Sequence, residues 1–172
     1  MKSRHRIALA MALFVAAMGF GLAVAHDVLH PQFTPEKGAF DKPAGKIGAT
    51  PDNPWSVTTV AASVDGKPVP GKVVTVVGEI VDLSCYLQVG KHGGKHRDCG
   101  QKCLKNGQPI GLLTKEGKLY LLMEEEHDPR RDGLTTFRQA AIDNMAYVME
   151  ITGTSSKVGD LEALYVTGYV KK

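Results

Sequence analysis

Val73-Val74-Thr75-Val76-Val77-Gly78-Glu79-Ile80-Val81-Asp82-Leu83 decides the fold class of this 172-residue chain. The run is long, rich in β-branched residues and bounded by turn formers, which predicts a long β-strand. Gly78 within it marks a bulge or a bend. Downstream, Ile110 to Thr114 and Lys118 to Met123 read as strands around a turn at Glu116-Gly117. Thr135 or Thr136 caps a helix reaching about Asp143, with Phe137, Ala140 and Ala141 spaced i, i+3, i+4. Tyr147 to Thr154 and Leu161 to Val170 supply two more strands. Three strands, one helix and two strands is the order of a five-stranded Greek-key barrel of OB type. In that reading the helix falls between strands three and four, and residues between strands one and two form a long insertion. Upstream, Val57 to Val64 alternates and reads as an additional strand, which leaves a sandwich as the alternative.

The chain begins as an export signal. Lys2, Arg4 and Arg6 form a positive head, Ile7 to Val24 is apolar, and Ala23-Val24-Ala25 ends it as an A-x-A cleavage site. Residues 1–25 are therefore assigned to a signal peptide, and the protein to the periplasm or to secretion. Cleavage removes three basic residues and no acidic one. Lys+Arg falls from 21 to 18 against 18 Asp+Glu, so the mature chain is near neutral. A near-neutral chain argues against nucleic acid, which needs a basic surface to displace counterions. No second apolar stretch is long enough to span a membrane. Residues 26–54 hold Pro31, Pro35, Pro43, Pro51 and Pro54 with no hydrophobic period, and read as an extended leader, either mobile or laid over the domain. Trp55 opens the barrel domain, 55–172.

Chemistry concentrates between residues 85 and 103. All three cysteines lie there, Cys85, Cys99 and Cys103, with His92 and His96. Asp98 is a good N-cap and Gly107 a good stop, so Cys99 to Lys105 reads as a short helix with Cys99 and Cys103 on one face. Gly93-Gly94 lets the preceding loop turn His96 towards that face. Cys85 arrives from the end of the long strand, and Asp82 is placed to orient a ligand histidine.

Three chemistries fit this segment. Cys85, His96, Cys99 and Cys103 can close around zinc or copper. Cys85 can instead pair with Cys99 or Cys103 in a structural disulfide, or two of the thiols can form a redox pair. His92 is a weaker candidate ligand. So are His26 and His30, because an N-terminal histidine chelates copper through its amine and ring nitrogen. The acidic run Glu124 to Asp128 reads as a solvated strand end. No nucleophile elbow, H-E-x-x-H or phosphate loop is present, so the residues offer no catalytic constellation beyond thiol chemistry at Cys99.

The run Gly78 to Tyr86, then His96-Arg97-Asp98-Cys99 and Cys103, then Gly107-Gln108-Pro109-Ile110-Gly111-Leu112-Leu113, resembles small exported bacterial proteins of unassigned function. The shared pattern is D-x-x-C-Y, H-x-x-C-x-x-x-C and G-x-P-x-G-L-L. The resemblance spans about residues 72–172, implies an OB-like barrel and groups Cys85, His96, Cys99 and Cys103. It implies no activity. The combined expectation is an exported accessory protein that binds copper or zinc. The alternatives are a thiol-redox or electron-transfer accessory protein and a disulfide-stapled binding module.

Overall fold

The computed structural model describes residues 33–125 and 134–167. In chain order the elements are β1 (Lys46–Ile47), α1 (Val57–Ala62), β2 (Gly71–Asp82), α2 (Leu83–Val89), α3 (Arg97–Lys105), β3 (Ile110–Leu113), β4 (Leu119–Glu124), α4 (Thr136–Asp143), β5 (Val148–Val158) and β6 (Leu161–Val166). Short 3-10 turns at Val64–Gly66 and Gly94–His96 precede β2 and α3.

Strand β2 organises the sheet. Its residues 71–79 pair antiparallel with β5, from Gly71 opposite Ser156 to Glu79 opposite Val148. Its last four residues also pair with β3, from Glu79 opposite Leu113 to Asp82 opposite Ile110. The β3–β4 hairpin is antiparallel, β4 runs parallel to β6, and β6 returns antiparallel to β5. These pairings close a mainly-β, five-stranded barrel, β2-β3-β4-β6-β5, and β1 lies outside it, parallel to β5. Closure gives every barrel strand a hydrogen-bonded neighbour on each side.

Residues 78–82 of β2 are buried without alternation, because one face fills the barrel and the other lies under the segment from α2 to α3. Gly78 sits where β2 presses on β3: a β-carbon there would stand 2.7 Å from Leu112 Cγ and 2.9 Å from the Leu113 carbonyl oxygen. Ile80, Leu112, Leu122, Ile151 and Leu164 form the core, joined by Leu104 from α3, Phe137, Ala141 and Ile142 from α4, and Met145. The Thr135 hydroxyl accepts the Arg138 amide at 3.1 Å and starts α4. In the chain, α4 lies between β4 and β5.

The expected strand at 57–64 is a helix. Ser56 Oγ accepts the Thr59 amide at 3.1 Å, and Glu125 Oε1 accepts the Ser56 amide at 2.6 Å. The β-branched composition favoured a strand, but a strand needs a partner, and the barrel closes without one. A capped helical turn satisfies the backbone locally instead. It buries nothing: Val57 is 87% exposed and Val64 82%.

Packing also begins before Trp55. From residue 33 the leader is laid along β5: Ala44 N donates to Val148 O at 2.7 Å, β1 pairs with Glu150 and Ile151, and Ile47 joins the core. Thr167 Oγ1 donates to Ala49 O at 2.6 Å. The predicted signal, His26, His30, residues 126–128 of the acidic run and the end of the last predicted strand lie outside the described residues. Among the described residues no helix is long and apolar enough to cross a membrane.

Candidate metal centre

The donors converge because β2 passes directly into α2. Asp82, the last residue of β2, is fully buried, and its Oδ1 accepts the Ser84 amide at 3.0 Å and the Cys85 amide at 3.5 Å. It is the N-cap of α2. Cys85 therefore stands in the first turn of a helix, not at the end of a strand, and beside the carboxylate that caps it. The helix stops at Gly90, whose φ of 68° suits a residue without a side chain.

The loop that follows is fixed at several points. Glu79, buried to 1% exposure, accepts the Gly93 amide on Oε1 at 2.6 Å and pairs through Oε2 with His92 Nδ1 at 2.9 Å. The His92 ring stacks on Phe33 and meets the Tyr86 ring edge-on, at centroid distances of 5.1 and 5.6 Å. Gly94 N donates to Thr34 O at 2.7 Å. The 3-10 turn then delivers His96 to the interior, where its Nε2 lies 3.9 Å from Asp82 Oδ2.

Helix α3 begins at Arg97, with His96 in the N-cap position, two residues earlier than Asp98 capping would place it; Asp98 falls in the first turn. Gly100 lets α3 approach Met145, since a β-carbon there would stand 3.0 Å from its sulfur. Arg138 Nη1 donates to the Leu104 and Gln108 carbonyls, each at 2.9 Å, and ties down the C-terminal end. Cys99 and Cys103 lie on one face of this helix, Cys99 exposed and Cys103 half-buried. All three cysteines are free thiols.

One carboxylate oxygen of Asp82, the Cys85 sulfur and one ring nitrogen of His96 all lie within 4.8 Å of one another. Asp82 Oδ2 and His96 Nε2 are buried and lack a hydrogen-bond partner. Cys103 stands outside this trio but in reach of two members, the Asp82 carboxylate and the Cys85 thiol. Neither thiol closes a bond of good geometry to Oδ2. Burial, then the adjacent Asp82, pushes the Cys85 thiol up and drives Cys103 up to about 12. Burial lowers the His96 pKa, and the negative charge of Asp82 only partly opposes this. At neutral pH the pocket therefore holds two protonated thiols, a neutral imidazole and two unmatched buried polar atoms.

Such a pocket is suited to a cation. Zinc bonds of about 2.0–2.3 Å to N, O and S put tetrahedral ligands about 3.3–3.8 Å apart, so the trio needs only a further contraction of about 1 Å. Sequence reasoning placed Asp82 behind a histidine; the structure makes it a member of the donor group. The signal was present in Asp82-Leu83-Ser84-Cys85, an N-cap followed by a helical turn, but reading the strand through Leu83 concealed it. Cys99 lies outside the trio. His92 belongs to the Glu79 pair instead. Comparison with protein-family models, with curated proteins and with solved structures found no match to this chain.

Proposed function

We propose that this is an exported accessory protein that binds zinc or copper, holding the ion with Cys85, His96 and Asp82 and completing its shell with Cys103. Cys99 is the exposed third sulfur of the cluster. The observation that carries this reading is the pair of buried, unpartnered atoms, Asp82 Oδ2 and His96 Nε2, 3.9 Å apart beside the Cys85 sulfur. Burying unmatched polar groups costs several kcal/mol unless something between them takes both lone pairs. A cation does so, and thiolate with imidazole suits zinc or copper better than magnesium or calcium. The barrel reads as OB-like, because its first, second, third, fifth and fourth strands pair in that order and the first pairs again with the fourth. The donors then lie at the end of the first barrel strand and in the long connection to the second. The D-x-x-C-Y and H-x-x-C-x-x-x-C pattern of small exported bacterial proteins supports the same grouping, and the signal at 1–25 supports a periplasmic or secreted location.

Elemental analysis of the mature chain loaded with zinc, and with copper(I) under nitrogen, tests this. One tightly held ion per chain is expected, with thiolate-to-cobalt charge-transfer absorption when cobalt(II) replaces zinc. Cys85→Ser and His96→Ala should each abolish it. A protein that takes up neither ion overturns the reading. The neighbouring Cys85 and Cys103 thiols favour one other use, a reversible disulfide. Metal-free cycling between dithiol and disulfide at those two positions would move the assignment to thiol redox.

A further inference from the structure

The segment that brings the donors together is also the most strongly charged part of the described surface. Residues 91–105 carry five basic side chains and one acidic one, whereas the other described residues carry nine basic against thirteen acidic. The excess of positive charge therefore belongs to this segment alone. Lys91, Lys95, Lys102 and Lys105 are exposed, and among the described residues none of them is in an ion pair. Arg97 is otherwise engaged, over the Tyr147 ring and on the Asp143 carbonyl. Cys99 is exposed on the same helix, three residues before Lys102 and hence on its neighbouring face, and four before Cys103. Cys99 and the donor Cys103 therefore share one face of α3.

We propose that this lysine-rich segment docks an acidic protein that delivers the metal ion, with Cys99 as the sulfur that first accepts it. The proposal rests on the metal reading above. Delivery is a ligand exchange with no change of oxidation state. A bond forms between the Cys99 sulfur and the ion while a donor sulfur leaves the ion, and the proton of the Cys99 thiol passes to the departing donor thiolate. Cys103 and Cys85 then take the ion inward by the same exchange. A protein partner is favoured over an anionic membrane because the lysine-rich segment also carries an exposed thiol, Cys99, on the helix of Cys103, and thiol exchange needs a sulfur donor on the other side.

The test uses two zinc-loaded synthetic peptides, each with one Cys-x-x-Cys pair, flanked by glutamates in one and by lysines in the other. At about 0.02 M salt the acidic peptide should transfer zinc at least tenfold faster than the basic one, within the usual range of electrostatic steering. The ratio should approach one at about 0.5 M, where screening is nearly complete. The combined variant Lys91→Glu, Lys95→Glu, Lys102→Glu, Lys105→Glu should invert the preference, with its fold checked by circular dichroism. Cys99→Ser should slow transfer from the acidic peptide about tenfold. Equal rates for the two peptides overturn the docking face, and unchanged transfer in Cys99→Ser removes that residue from the exchange. Co-sedimentation with phosphatidylglycerol vesicles, without peptide selectivity, overturns the proposal in favour of a membrane surface. Uptake of aqueous zinc is measured first. If there is none, the metal reading falls, and docking is judged from fluorescence anisotropy of the labelled, metal-free acidic peptide. Salt-sensitive binding that the combined variant abolishes sustains the docking face; absence of binding ends it.

Discussion

Asp82→Asn separates the structural role of this residue from its role as donor. Asn is as good an N-cap as Asp, and its side-chain oxygen retains the bonds now made by Oδ1 to the Ser84 and Cys85 amides. What disappears is a fully buried negative charge whose second oxygen has no partner. The metal-free variant should therefore melt no lower than the parent, and removal of the buried charge favours a slightly higher melting point. Metal binding should respond in the opposite sense. If the parent is heated with ion at about a hundredfold over its dissociation constant, binding adds about 2.7 kcal/mol of stability. For a domain of this size that is a rise of roughly 8–11 °C, at about 3–4 °C per kcal/mol. An affinity weakened about a hundredfold leaves only about 0.4 kcal/mol, a rise of one or two degrees. Differential scanning calorimetry of both proteins, with zinc and with chelator, reads the four melting points. A metal-induced rise as large in Asp82→Asn as in the parent refutes Asp82 as a donor. A metal-free variant melting many degrees lower refutes the argument that the free carboxylate is a cost to the fold.

Further perturbations have definite expected outcomes. In metal-free protein Cys103, held up to about 12, should alkylate roughly a thousandfold more slowly at pH 8 than an ordinary thiol, with exposed Cys99 modified first; peptide mapping after brief iodoacetamide treatment checks the order. The same proton sets an alkaline limit. The unfolded thiol ionises near 9.0 and the folded one near 12, so stability is full below pH 9 and is lost as pH rises between them; urea melts across that window should lose this slope in Cys103→Ala. Gly100→Ala should cost about 1–3 kcal/mol, because its methyl group would drive α3 off Met145, and it should weaken metal binding as Cys103 moves; a variant with parental stability would contradict the close packing. Ile47→Ala should cost about 2–4 kcal/mol by chemical denaturation, and an effect below about 0.5 kcal/mol would mean that the leader contributes little to the core.

How much of this was legible follows from how far each signal is local. Strand β2 could be read because β-branched residues dominate it over more than one turn former's reach, and the turn at Gly117, with φ of 81°, marks the β3–β4 hairpin unaided. Helix α4 could be read from its threonine cap and apolar spacing. Val57 to Val64 misled because β-branched composition reports the fit of a residue to a pleated surface, not the presence of a partner strand. The leader left two readings open, because Lys46-Ile47 has too few residues for a period; pairing with β5 and burial of Ile47 lay it over the domain. At the site, the grouping of Cys85 with His96 followed from density of soft donors in one segment. The Glu79–His92 pair did not, since a carboxylate in the middle of an apolar strand signals a partner without naming it.

That pair explains the state of the other one. Strand β2 presents two carboxylates, Glu79 and Asp82, to two histidines of one loop, His92 and His96. The same chemistry appears twice at different separations. Glu79 and His92 close at 2.9 Å, with the remaining carboxylate oxygen on the Gly93 amide, so every oxygen is used. Asp82 and His96 stop at 3.9 Å, with one atom of each left unmatched. The loop has the freedom to close a carboxylate–histidine pair, since it does so four residues earlier. The second pair is held open by what surrounds it: Asp82 Oδ1 is committed to capping α2, Leu104 fixes α3 in the core, and the 3-10 turn is anchored through Gly94 to Thr34. A gap maintained by three separate anchors, in a fold that fills the matching gap next to it, could hold a cation. His96→Gln isolates this argument. An amide of similar length should find Asp82 Oδ2 as a partner, and the metal-free protein should gain stability while it loses the ion. A variant less stable than the parent without metal would refute the reading of Asp82 and His96 as an unmatched pair.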